Sequence, residues 1–231
     1  LLLGFSLLTY TIHFEIFHDL RHIILYFIGD MGFLGIQAII FYFAIDRLLN
    51  YREKEATKKK LNMLSGIFFY DMGIKVFNII TDLLRECTDC TTNFCVEQSW
   101  TSADFRRHQQ AIKKINAVFI YHPEVVKQLL QVLKDNKGLV IRLMENQSLH
   151  EHEIFSDMLL SLFHVNEELQ RREDLVNNPE EDKAHLLNDI KRTYLLMGQL
   201  WLEYMLHLKE NYTYLYLYNI KNRQLKIRSP Q

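Results

Sequence analysis

The sequence predicts an all-α protein: a two-helix transmembrane hairpin followed by a cytoplasmic helical bundle. Three observations predict it. Ile23 to Ile45 is an apolar run of 23 residues with one formal charge, Asp30. A helix of that length rises about 1.5 Å per residue and matches a hydrocarbon core of about 30 Å. Downstream, apolar residues recur at helical spacing over long stretches. Finally, the 231 residues contain only eight Gly and three Pro, so helix breakers are few.

The chain opens with LLLGFSLLTYTI, which is too short to span. Because no Met precedes it, it is expected to be the remainder of a first transmembrane helix whose start is missing. A signal peptide would need a basic start and a small-residue cleavage site, and neither is present. His13 to His22, HFEIFHDLRH, is expected to form a polar hairpin at one membrane face. The span Ile23–Ile45 follows, completing a hairpin over residues 1–46. Only Arg21 flanks the span on one side, whereas Arg47, Arg52, Lys54, Lys58, Lys59 and Lys60 lie beyond it on the other. The excess of basic residues predicts that residue 46 onward lies in the cytoplasm.

Within the span, Gly29, Gly32 and Gly35 are spaced to admit another helix closely. Asp30 and Gln37, seven residues apart, share nearly one face. Polar groups in lipid are costly, so that face is expected against protein, in a homo-oligomer, or against water along the axis of a channel. Residues 47–60 read as a basic helical linker.

The bundle is expected over 61–231. Leu61 to Leu84 carries an apolar stripe at 61, 64, 67/68, 74, 77, 80/81 and 84, and reads as a bundle or membrane-surface helix. A third span is the alternative. It would immerse Asp71 and Lys75, which at i, i+4 could pair. Residues 85–102 read as a loop or insertion carrying Cys87, Cys90 and Cys95. A helix is expected from Ala103 to Ile120, and another begins with Pro123 as its first residue and ends at Asn136-Lys137-Gly138. LVIRLMEN reads as a short connecting segment. Two long helices come next. The first, about Leu149–Arg172, turns Ile154, Phe155, Met158, Leu159, Leu162, Phe163, Val165 and Leu169 inward. The second, about Glu180–Lys209, does so with Leu186, Ile190, Tyr194, Met197, Leu200, Trp201, Tyr204, Met205 and Leu208. The tail, NYTYLYLYNIKNRQLKIRSPQ, is aromatic and then basic. It suits a short amphipathic helix, although its Tyr-Leu alternation also permits a strand. No internal repeat is evident.

Candidate chemistry concentrates on the two long helices. Glu153, Asp157, His164 and Glu168 lie on the first, His185 and His207 on the second. Ligand types three or four apart share a helix face, and facing helices can complete a shell for a divalent metal. A ferritin-like di-iron site needs Glu-x-x-His, whereas His164-Val-Asn-Glu167 runs in reverse and Glu203/His207 is looser. His185 has Asp189 at i+4. The simpler expectation is surface charge and hydrogen-bonded histidines, with Glu151 and Glu153 complementing a helix dipole. Cys87, Cys90 and Cys95 with His108 form a weak zinc pattern, and three clustered cysteines do not suggest a disulfide framework. There is no phosphate-binding glycine loop, no Gly-x-Ser-x-Gly elbow and no His-Glu-x-x-His. A net charge of −1 gives no case for nucleic acid. No cofactor is implied other than a possible divalent metal.

Three segments, KLNMLSGIFFYDMG, LMENQSLHEHEIFSDMLLSLFHVNEEL and DIKRTYLLMGQLWLEYMLHLKENYTYLY, resemble a family of uncharacterised prokaryotic membrane proteins. The resemblance covers most of the chain from residue 45. It implies a two-span anchor with a cytoplasmic helical domain and implies no activity. Segment 85–102 departs from the family pattern, which argues against a shared cysteine-ligated metal. The expected function is a membrane-anchored, homo-oligomeric interaction or regulatory protein without enzymatic activity. An oligomeric channel and a metal-dependent enzyme are the alternatives.

Overall fold

The computed structural model describes residues 1–87, 93–149, 152–172, 174–222 and 225, with the backbone alone at 2, 3, 86 and 87. The chain is mostly helical and divides into two units, Leu1–Ala56 and Thr57–Gln231.

In the first unit, α1 spans Leu2–Phe17 and α2 begins at Leu20. His18 closes α1 in a left-handed conformation (φ 49°, ψ 26°), and its N–H bonds Phe14 O at 2.8 Å. Asp19 then opens α2, its Oδ1 accepting from the N–H groups of Arg21 and His22 at 3.0 and 3.3 Å. The expected polar hairpin of His13–His22 is therefore reduced to His18 and Asp19, because HFEIF continues the helix. At 16 residues, α1 rises about 24 Å. Among the described residues one helix, not two, is long and apolar enough to cross a bilayer. Every residue from Ile24 to Ile45 is exposed.

The helix α2 runs Leu20–Phe68, so the basic segment 47–60 is helical. Its last turns belong to the second unit and bury Leu61, Leu64, Ser65 and Phe68. A wide π turn, Phe69–Gly73, leads into α3, Ile74–Thr81. Gly73 is required there, since a Cβ would stand 2.7 Å from Phe68 Cε1 and 2.9 Å from Phe69 Cδ1. The stripe expected over 61–84 faces the bundle core, which accounts for its apolarity without a bilayer. Asp71 and Lys75, which the i, i+4 spacing would have allowed to pair, are exposed and form no ion pair with each other. The π turn changes the spacing that an unbroken α-helix would give them.

Two short strands were not anticipated. β1, Leu84–Cys87, pairs antiparallel with β2, Ala117–Phe119, through Leu84↔Phe119, Glu86↔Val118 and Cys87↔Ala117. The helix expected over 103–120 is α4, Ser102–Ile112, and stops before β2. Thr101 and Asp104 form a capping box at its start: Asp104 N donates to Thr101 Oγ1 at 3.3 Å and Thr101 N donates to Asp104 Oδ2 at 2.7 Å. α5, Pro123–Asp135, has proline at its first position as expected. The chain then starts α6, Lys137–Met144, where a connecting segment was expected.

The core is centred on two antiparallel helices, α7 (Glu153–Arg171) and α8 (Glu180–Asn211). All nine residues expected inward on α8 are buried except Tyr204, which is half-buried. Ile154 and Phe163 are the half-buried members of the α7 set. Tyr194 lies against Phe77, Phe94 and Phe119, with ring centroids 4.3, 5.4 and 5.5 Å away. The tail forms a helix, α9 (Thr213–Asn222), rather than a strand. Its anchor is Tyr216, whose hydroxyl donates to Glu97 O at 2.7 Å and whose ring receives Lys209 Nζ at 5.2 Å. Lys209 also donates to Gln98 O and Trp100 O, tying loop 97–100 to α8.

Burial pushes the phenols of Tyr194 and Tyr216 up to about 12. The unfolded chain releases those protons first, near pH 10. Stability is therefore held below pH 10 and falls as pH rises toward 12. The slope for Tyr194 is about 1.4 kcal/mol per pH unit. Urea midpoints at pH 8, 10 and 11 should show the fall, and Tyr194→Phe should remove its share. An identical slope in that variant would mean that another group titrates.

Candidate functional site

The α7 and α8 pairing brings four polar side chains into one ring. Glu168 Oε1 lies 3.6 Å from His164 Nε2 and 3.4 Å from His185 Nδ1. Asp189 Oδ2 lies 3.5 Å from the same His164 nitrogen and 3.3 Å from the same His185 nitrogen. Oxygens and nitrogens alternate around the ring. Each helix supplies one imidazole and one carboxylate four residues later, so both point from a single face. Because the helices are antiparallel, each histidine meets the carboxylate of the other helix as well as its own.

The carboxylates are largely covered, Glu168 at 19% and Asp189 at 18% side-chain exposure, whereas the imidazoles are open at 58% and 63%. Arg172 holds the outer oxygen of Glu168, with Nη1 3.2 Å from Oε2. The ring opens into a cleft of about 560 Å³ along α7, whose walls include Phe163, Arg171 and Arg192. Glu167, also on its wall, is bonded to Lys137 at 2.8 Å, which together with the Arg171 charge holds its carboxyl below the usual range. Beneath the ring, Ser161 and Thr193 share a buried hydrogen bond of 2.6 Å that fixes the register of the two helices.

Of the six metal candidates expected, the structure brings together His164, Glu168 and His185. The others lie too far along their helices. Glu153 is eleven residues before His164, about 16 Å of rise, and Asp157 about 10 Å. His207 is eighteen residues beyond Asp189, about 27 Å. It interacts with Asn211, and its pKa is lowered by burial and by the nearby Lys58 charge. Glu203, expected to pair with His207, instead accepts from His152 Nε2 at 3.0 Å and raises that imidazole's pKa. His152 Nδ1 accepts from Phe155 N at 3.2 Å and so caps α7.

The spacing on α8 alone marks Asp189 only as a neighbour of His185, yet it completes the ring. A signal for it was present. HVNEELQR at 164–171 and HLLNDIKR at 185–192 share His, an apolar residue, an acid four after the His, a second apolar residue and a final Arg. The two octapeptides are a short local repeat, in contrast to the expectation of no internal repeat. The antiparallel pairing relates its two copies by a local two-fold axis.

The cysteine pattern lies partly outside the described residues, since these exclude Cys90 and the Cys87 side chain. Cys95 is half-buried, and burial followed by the Glu97 charge raises its thiol pKa. His108 stacks flat on Trp100 (4.0 Å, 5°) and its Nδ1 bonds Asn93 at 2.8 Å; burial lowers its pKa. In the first unit, Asp30 and Gln37 are exposed on α2. A Cβ on Gly29, Gly32 or Gly35 would meet nothing within 4 Å, so that surface has room for a neighbouring helix.

Comparison with known proteins gives two family matches. A family described as "Uncharacterized protein MJ1433, C-terminal helical domain" matches residues 57–221, and "MJ1433, N-terminal helical domain" matches residues 1–49. The interval between them contains the boundary between the two structural units. A Methanocaldococcus jannaschii protein, "Uncharacterized protein MJ1433", is 36% identical over 215 residues, covering 93% of this chain and 86% of its own length. No solved structure matches. The chain thus belongs to the MJ1433 family of helical proteins, with both of the family's helical domains present.

Proposed function

We propose that this is a membrane-anchored, homo-oligomeric helical protein with an interaction or regulatory role and no enzymatic activity. In this reading Ile23–Ile45 of α2 spans the bilayer, and the residues from 46 onward occupy the cytoplasm. The observation that carries it is the apolar surface of α2, exposed at every residue from Ile24 to Ile45 and followed by six basic residues between Arg47 and Lys60. An exposed apolar surface of that length needs cover, and lipid supplies it. Gly29, Gly32 and Gly35 supply one helix contact, and Asp30 and Gln37, together on a different face of α2, hydrogen bond across a second. The bundle is then held at the membrane surface, available to partners.

Alkaline carbonate extraction of expressing cells should leave the full chain in the membrane fraction. In inverted vesicles, protease should reach the bundle without detergent. Gly32→Leu should shift the detergent-solubilised protein toward monomer in light scattering. Release by carbonate would sink the anchor, and an unchanged mass for Gly32→Leu would sink the glycine contact.

A further inference from the structure

We infer that His164, Glu168 and Asp189 hold a divalent cation of the zinc class, which staples α7 to α8, with His185 as the fourth ligand once its exposed ring turns inward. The inference concerns the bundle alone and stands whether or not α2 spans a membrane.

The first support is metric. Ligands around a tetrahedral cation with bonds of about 2.1 Å are separated by about 3.4 Å. The four nitrogen–oxygen distances of the ring are 3.6, 3.4, 3.5 and 3.3 Å. Direct N–H···O bonds to carboxylates would be about 2.7–2.9 Å. The edges of the ring have the width that a central cation gives, and His164, Glu168 and Asp189 offer ligand atoms that all lie within 4.8 Å of one another. His185 faces both carboxylates but stands across the ring from His164, outside that group, so its imidazole must turn inward to complete the shell. The second support is an orphaned atom. Asp189 Oδ2 is buried and has no hydrogen-bond partner of acceptable geometry, although two imidazole nitrogens stand nearby. A buried carboxylate oxygen without a partner is costly, and a cation at the ring centre would satisfy it.

The third support is the donor set. Two imidazoles and two carboxylates suit zinc, iron or manganese better than magnesium or calcium, which prefer oxygen alone. With His185 turned inward the ion has four protein ligands and no open coordination position, the pattern of structural rather than catalytic zinc. Arg172 is the positioning residue. By holding Glu168 Oε2 it leaves Oε1 as the single inward donor. The repeat gives the site its economy: one eight-residue pattern, used twice on antiparallel helices, generates all four ligands.

The test uses the full chain purified in detergent without chelator. Elemental analysis should find about one zinc per chain. Replacement by cobalt should give the intense visible absorption of a tetrahedral ion. Asp189→Asn and His185→Gln should each weaken zinc binding by more than about 100-fold, beyond the roughly 10–100-fold expected when Arg172→Gln removes an outer support. Zinc should raise the thermal midpoint of the parent and of the controls Glu153→Gln and His207→Gln, and leave that of the ligand variants unmoved. His185 is exposed, so His185→Gln keeps the test sound if Asp189→Asn fails to fold. Metal below a tenth of an equivalent after zinc loading would overturn the site. So would zinc binding of parental strength in His185→Gln, and so would octahedral cobalt spectra.

Discussion

Tyr194→Ala is expected to destabilise the bundle by about 3–5 kcal/mol, the range for removing a large buried aromatic side chain. Tyr194→Phe should leave stability unchanged or slightly improved. The ring is fully buried at 0% exposure and touches aromatic residues from α3, β2 and the segment before α4. Removing it opens a cavity bounded by elements that cannot all collapse into it. The hydroxyl is a different matter. It is buried and makes no hydrogen bond of good geometry; its neighbour, the Thr81 hydroxyl, donates to Phe77 O at 2.9 Å and only partly offsets the effect of burial on the phenol. Deleting an unpartnered buried hydroxyl removes a desolvation cost rather than an interaction. Urea unfolding in detergent, followed by Trp100 and Trp201 fluorescence, separates the two substitutions. A loss above about 1 kcal/mol in Tyr194→Phe would show that the hydroxyl has a partner in solution.

Gly198→Ala should cost about 1–3 kcal/mol net, although alanine is the better helix former by about 1 kcal/mol. A Cβ at this position in α8 would lie 2.1 Å from Phe94 Cε1 and 2.8 Å from Cζ. Phe94 cannot swing aside, because it is 1% exposed and packed edge-on against Phe77 and Tyr194. The substitution must therefore displace the aromatic cluster or push α8 away from the segment that carries Phe94. Gly138→Ala is the matched control. Its nearest neighbour is Arg142 Nη1 at 3.7 Å, the mobile end of a side chain, so stability should hold or rise. Equal losses in both variants would point to backbone freedom rather than crowding.

The long helices were legible because their pattern is local. On α8 the spacing of Leu186, Ile190, Tyr194, Met197 and Trp201 repeats over many turns, and each of these residues is buried. The strands were not legible because their cause is distant in sequence. Ala117–Phe119 has only three residues, and its pairing with Leu84–Cys87 closes across more than thirty residues of chain. The Tyr-Leu tail is the helix that its amphipathic pattern suits: alternation alone would permit a strand, but with Tyr216 fixed to Glu97 the segment is wound as a helix. The candidate site was half legible. His164 with Glu168 and His185 with Asp189 follow from i, i+4 spacing on each helix alone. Which turn of α7 faces which turn of α8 is set by the connection and by the Ser161–Thr193 bond, and no single-helix pattern reports that. Comparing the two octapeptides would have supplied it.

The wide turn at Phe69–Gly73 has a consequence for how chains of this kind can be compared. A π turn is an α-helix that has accommodated one extra residue. The surplus is housed here with Phe68, Phe69, Met72 and Gly73 buried while Tyr70 and Asp71 face outward. Removing one outward residue would restore the ordinary helical repeat and leave the stripes of α2 and α3 against the same neighbours. A one-residue offset between relatives at this turn is therefore a change in length without a change in architecture, and residue correspondences on either side of it should be drawn independently.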